Sequence, residues 1–424
     1  MKKLLYIATT FVAICSGIVG CQDNDGLLSD NIRKSSHANS QTITVEEAKR
    51  QAIGFVNNLA MSTRSDAEKE IGDVYVWRKD QIYRMTRSSE TMASLPDTMM
   101  YIVNFKNNGG YMLVSASTNC RGVFAYVESG YMSPYDEINN PGFNVFLENA
   151  GRLMAYGETN PPDTSGIGNQ FTEDSLPPSE RLYFVGNPLL TTKWRQNSPF
   201  NDECPIVNNT HCKAGCAPVA TAQVVAFHRY PDSYYGHTYN WNEILDGFTP
   251  TSATGKSSAA HLVHDIGVKE EADYGITATS VYPSKIRSCL LALGYWCSTL
   301  SDYSYSRCRQ NFNRRRPVII NGYRADNSAG HTWVLDGGFS WREEYNIMLP
   351  NGTYQTIVNV EDFVHCNWGW GGSQNGYYWS EVFDVCYKQY EDDVFDELNI
   401  IEWEGYDFSY NLSVCYDIFP IHLD

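Results

Sequence analysis

The sequence predicts two α+β domains in series, a small one over residues 42–160 and a larger one from residue 186 to the end. Three observations carry this. The chain has 424 residues, too many for one ordinary domain. Residues 161–185 are rich in Pro, Gly, Ser and acidic side chains, as in Pro161-Pro162-Asp163 and Pro177-Pro178-Ser179-Glu180. They read as an exposed linker, where proteolytic nicking concentrates. On either side of it, helical and strand patterns occur together, and in the larger domain helices come first and strands last.

In the small domain, Thr44-Val45-Glu46-Glu47 forms a capping box. It opens a helix with an apolar stripe through Val45, Ala48, Ala52, Phe55, Val56 and Leu59. Tyr101–Phe105 and Tyr111–Ser115 read as strands joined by the hairpin signal Asn107-Asn108-Gly109-Gly110. Val123–Val127 is a third strand and Pro141–Met154 a second helix. No cluster of catalytic residue types lies here.

Ahead of this domain, residues 1–21 read as a targeting segment. Lys2 and Lys3 precede an apolar run, Leu4–Ile14, too short to be a dependable membrane span. Ile18-Val19-Gly20-Cys21 resembles the lipobox of bacterial lipoproteins, in which Cys21 would be lipidated. An ordinary secretory signal is the alternative. Residues 22–41 are polar and read as a tether that begins with an acidic patch. The expectation is an exported bacterial lipoprotein, anchored by lipid at the outer membrane, facing the cell surface or periplasm, with a mature domain open to release.

The formal charge of −17 and pI near 4.9 argue against a nucleic-acid partner. Arg314-Arg315-Arg316 is the lone basic cluster and reads as a solvated loop. Setting Cys216 aside, the larger domain has eight further cysteines, enough for up to four disulfides in an oxidising compartment. A zinc cluster of Cys204, His211, Cys212 and Cys216 has none of the usual ligand spacings. There is no HExxH motif, so no metal or other cofactor is expected.

Cys216 heads a run, Ala217 to Tyr230, that is apolar nearly all round and so predicts a buried helix. Pro218 is tolerated only in a first turn, which fixes the helix start within a residue or two of Cys216. Unpaired N–H groups at that end favour a thiolate. A small buried hydrophobe and an activated thiol are both open at this point.

A nucleophilic thiol needs a base. His228 is on the same helix, about 18 Å away, and cannot reach. His331 starts a strand, Gly330–Gly337, whose end can present the ring to a helix N-terminus. His365 is the alternative. His365-Cys366-Asn367-Trp368-Gly369-Trp370-Gly371-Gly372 forms a tightly turned platform. In it Asn367 can accept from a histidine N–H, and an adjacent indole can shield that contact.

These motifs resemble the streptopain family of papain-like cysteine peptidases, secreted by bacteria as zymogens. Gly215–Pro231 is similar to the family's nucleophile helix, and Leu189–Asn201 to the segment whose glutamine supplies an oxyanion donor. The resemblance implies a papain-like catalytic domain over residues 186–424 that hydrolyses protein or peptide substrates. Cys216 would be nucleophile, His331 general base and acid, Gln196 oxyanion-hole donor, Asn367 the orienter of His331, and Trp368 the shield of that contact. It also makes residues 42–160 an inhibitory propeptide and residues 161–185 the cleavable linker. Between His331 and Asn367 the chain is longer than the family pattern, and Glu343–Val360 reads as an inserted hairpin. The rivals are a transglutaminase-type acyl transferase on the same dyad and a catalytically inactive surface-binding lipoprotein.

Overall fold

The structure is a computed structural model. It describes residues 42–63, 69–78, 97–118, 120, 122–159, 176–323, 330–348, 354–383 and 412–421. The lipobox and tether, linker residues 161–175, the tip of the inserted hairpin and Cys386 lie outside these residues.

The first helix, Val45–Thr63, begins where its cap predicts, with the Thr44 hydroxyl accepting the Glu47 N–H at 3.2 Å. Its stripe of Ala48, Ala52, Phe55, Val56 and Leu59 is buried. It packs on β1 (Ile71–Arg78), β2 (Thr98–Phe105) and β3 (Tyr111–Ser115). With β4 (Val123–Val127) these form an antiparallel meander. The second helix, Pro141–Thr159, runs one turn beyond its expected end.

The linker's second half differs from expectation. Residues 176–186 form a strand, β5 (Leu176–Gly186). The run Leu182-Tyr183-Phe184-Val185 is β-prone, and its backbone pairs with a long hairpin strand of the larger domain.

That domain opens with a two-residue pair, β6 (Ile206–Val207) and β7 (Thr210–His211). The helix Cys216–His228 follows, buried from Ala217 to Ala226 as its composition requires. After a second short pair, β8 (Ser233–Tyr234) and β9 (His237–Thr238), come helices Ala253–Lys269 and Pro283–Ala292, which pack against the Cys216 helix. Then come β10 (Tyr295–Trp296) and the helix Tyr305–Asn313. The sheet strands are β11 (Val318–Tyr323), β12 (Gly330–Met348), β13 (Tyr354–Asn367), β14 (Gly376–Trp379) and β15 (Ser413–Cys415); β16 (Phe419–Pro420) pairs with β10. The expected hairpin is the outer part of β12 and β13, in register to Met348 opposite Tyr354.

All but the short pairs join one ten-stranded sheet, ordered β1-β2-β3-β4-β14-β13-β12-β11-β15, with β5 alongside β12. The small domain is thus continued into the large one through β4 and β14, in register at Val127 opposite Gly376. A Cβ on Gly376 would collide with the Tyr126 carbonyl, so glycine permits this close approach.

Two expectations change. The described cysteines of the larger domain are all free thiols, so none of them forms the expected bridges. Of the basic cluster, Arg314 and Arg315 are exposed as expected, but Arg316 is only part-exposed: it lies over the Phe419 ring at 3.7 Å and faces Asp417.

Candidate active site

The backbone of the Cys216 segment explains its sequence. Gly215 has φ 93°, a conformation side chains rarely adopt, and an added Cβ would meet Thr279 and Pro218. The helix begins at Cys216, with Pro218 in its first turn. Cys216 therefore sits at the positive end of a helix while staying partly exposed.

His331 is the second residue of β12, paired with Gly322 of β11. Its Nε2 is 2.7 Å from the Trp368 carbonyl. A ring nitrogen facing a carbonyl must carry the proton, so Nδ1 is left as the nitrogen free to exchange one with sulfur. Trp333 stacks at 6.2 Å and Trp370 lies edge-on at 5.8 Å, so the ring is walled by indoles. Burial pushes the Cys216 thiol up, but the hydrogen bond and charge of His331, joined by hydrogen bonds from Thr332, hold it below the ordinary thiol value. Thr332 was missed from sequence. Its only signal is adjacency to His331.

Gln196 is delivered to the same place by its main chain. Its carbonyl accepts the Ala214 N–H at 3.0 Å, two residues before Cys216.

Asn367 is not brought to His331. Its amide donates to the Thr192 carbonyl at 2.7 Å, and its oxygen accepts the Gly369 N–H at 3.2 Å. The turn at 367–369 instead aims the next residue's main-chain carbonyl at the imidazole, so the group facing Nε2 belongs to Trp368. The Trp368 indole is buried against Trp333 at 4.9 Å and donates to the Gln374 carbonyl. The alternative base, His365, is spent elsewhere. Its Nδ1 is 2.6 Å from buried Asp336, and its Nε2 is 3.6 Å from Glu128 of the small domain. Burial opposes its charge, but the two carboxylates raise it to about 10.

The small domain also reaches His331. At the start of its second helix, a Cβ on Gly142 would lie 2.6 Å from His331 Cδ2 and 2.5 Å from Trp368 Cε3. That helix therefore stands directly on the imidazole and the Trp368 indole. Its Phe143 and Phe146 pack on Tyr378 of β14. Among the described residues, no group of His, Cys, Asp or Glu is placed to hold a metal ion.

Residues 194–378 match the Peptidase C10 family, and residues 40–159 match the Spi protease inhibitor family. Streptopain of Streptococcus pyogenes is 24% identical over 370 residues, covering 73% of this chain and 84% of its own. A thiol protease/hemagglutinin of Porphyromonas gingivalis is 24% identical over 375 residues, covering 76% of this chain but 39% of its own. Among solved structures, a prointerpain A fragment of Prevotella intermedia has a TM-score of 0.53 at 19% identity, covering 76% of this chain and 96% of that one. This last is a likeness of fold.

Proposed function

Since this chain belongs to the streptopain family of papain-like cysteine peptidases and carries a Spi-type inhibitor domain ahead of the peptidase, we propose that it hydrolyses peptide bonds in proteins with Cys216 as nucleophile and His331 as general base and acid. The observation that carries the reading is geometric: Cys216 is the first residue of a buried helix, and the histidine that lowers its thiol has its other nitrogen committed to the Trp368 carbonyl.

In this mechanism the sulfur attacks the peptide carbonyl as a thiolate, with His331 as imidazolium. The oxyanion is held by the Cys216 N–H and the Gln196 side chain, a single such donor contributing about 3–4 kcal/mol. His331 Nδ1 gives its proton to the leaving amine, then takes one from the water that opens the thioester. Throughout, the Trp368 carbonyl keeps the proton on Nε2 and the ring in one orientation. The Thr332 main-chain N–H steadies the thiolate, its hydroxyl being donated to Asn321 Oδ1 at 2.7 Å.

In the uncut chain the helix at Gly142 occupies the space above this pair. We take residues 42–160 to be the intramolecular inhibitor and residues 161–185 to be where the chain is cut. A lipid anchor at Cys21 and display outside the cytoplasm remain the reading of the lipobox.

Cys216→Ala tests the assignment. After the linker is cut by an added protease, release of new α-amino groups from casein should fall by at least about 10⁴-fold. Activity that persists would sink it, and isopeptide cross-links in place of new amino groups would mean a transferase.

A further inference from the structure

We propose that Gln223 is a positioning residue for catalysis, clamping the oxyanion segment and the histidine-orienting turn to the helix that carries the nucleophile. The proposal rests on the Cys216–His331 reading and concerns residues that no part of that chemistry yet uses.

Gln223 lies seven residues after Cys216, two turns along the same helix and so on the same face. Its side chain is fully buried, as are those of Thr192, Trp194 and Asn367 around it. Gln223 Oε1 accepts from the Thr192 hydroxyl at 2.9 Å, the Trp194 N–H at 3.3 Å and the Asn367 amide at 3.4 Å. Its Nε2 donates to Asn367 Oδ1 at 3.5 Å. Asn367 itself bridges the Thr192 carbonyl and the Gly369 N–H. A Cβ on Gly369 would rest against Val219 at 3.4 Å and Gln223 Nε2 at 4.0 Å, so the turn sits directly on the helix.

Two separate arms therefore meet at one amide. Trp194 is two residues before Gln196, and Asn367 is one residue before the carbonyl that faces His331. Neither arm is long enough to move far once its neighbour is fixed. With one primary amide serving three donors and one acceptor, no other uncharged side chain of similar size satisfies the same set. Buried donors left without a partner would shift to find one.

The test compares wild type, Gln223→Met, Thr192→Val and Asn367→Ala, each cut in the linker by the same added protease, which is then inhibited. Steady-state cleavage of a peptide substrate is normalised to Cys216 sites titrated with iodoacetamide, and the pH dependence of that alkylation is recorded. Gln223→Met should lower kcat by about 10- to 100-fold, as expected for small misplacement of reacting groups, with KM within about twofold. Its alkylation profile should move to higher pH. Thr192→Val, which touches the oxyanion arm, should lower kcat with the alkylation profile unmoved, whereas Asn367→Ala should move the profile.

Normal kcat and an unmoved profile in Gln223→Met, even with a lower Tm, would overturn the proposal as mere packing. Should that variant not fold, normal values in both other variants overturn it equally. Wild-type protein whose Cys216 is not alkylated would overturn the peptidase reading and this one with it. Labelled Cys216 with indifferent variants overturns this one alone.

Discussion

Packed against the Cys216 helix, buried Glu270 accepts the Thr221 hydroxyl at 2.6 Å and leaves its second oxygen without a hydrogen-bond partner. Burial pushes its carboxyl up to about 8, against the Thr221 hydrogen bond and helped by negative charge at Cys216. The folded value is above the ordinary one, so the native state binds the proton more tightly and loses stability as pH rises from about 4.5 through 8. Glu270→Gln keeps an acceptor and removes the acid. Its Tm should rise relative to wild type by an increment that grows from pH 5 to pH 9 in thermal unfolding; an increment independent of pH would exonerate Glu270. At this scale the sequence was legible where a residue constrained its own backbone. Gly215 and Pro218 fix the start of a helix by sterics, so Cys216 could be placed without a structure. Asn367 was misplaced because spacing brings a turn near a histidine but does not say which group in it, side-chain amide or main-chain carbonyl, faces the ring. Thr332 and Gln223 were invisible, their partners being far away in sequence.

Among elements, the helix Pro141–Thr159 matters most, since its first turn bears on His331. Gly142→Val would drive a side chain into the imidazole and the Trp368 indole. The helix should then sit less closely, and alkylation of Cys216 in the uncut chain should quicken by about 10-fold or more, given the misfit energies typical of overpacked sites. An unchanged rate would mean that this turn does not guard the thiol. Most elements were legible from their ends: the capping box at Thr44, the Asn-Gly turn before β3, and Gly330 at the start of β12, although β12 runs on through the Gly337-Gly338 pair expected to end it, because β13 pairs with it as far as Met348. β5 was not. Its Pro177-Pro178 and acidic residues average out as linker, yet prolines are tolerated on an edge strand, and β5 pairs with β12 alone. What decided its state was the long hairpin beside it, whose pairing with the linker no local pattern announces.

For the whole molecule, the inhibition proposed above would depend on how two domains share one sheet. Across the seam Glu128 faces His365, itself held by Asp336. Burial works against the Glu128 charge, but His365, with help from Lys193 and Lys69, holds its carboxyl below the ordinary 4.5. A depressed carboxylate contributes stability above its unfolded value that is lost as pH falls through the folded one. The raised His365 contributes at pH below about 6.5 and is lost only near 10. The ion pair therefore spans neutral pH and fails in acid. In the inactive Cys216→Ala chain, amide exchange over residues 123–128, corrected for intrinsic rates, should accelerate below about pH 4.5. Glu128→Gln should show faster exchange at pH 7 already. Equal exchange in both proteins at pH 7 would remove Glu128 from the seam's energetics. The division into two domains was readable from composition, but their fusion was not. The register of β4 on β14 depends on Gly376, whose reason lies across the seam.

That fusion would have a consequence for the enzyme were the proposed cut to release the first domain. β14 would lose its neighbour and become a raw margin of unpaired N–H and C=O groups, the kind of surface on which foreign strands dock or aggregates grow. It is only four residues long, Gly376 to Trp379, and begins at a glycine with little grip of its own. So short a margin suits a join meant to be undone. It is long enough to carry one domain while the chain is whole, and too brief to recruit a stranger afterwards.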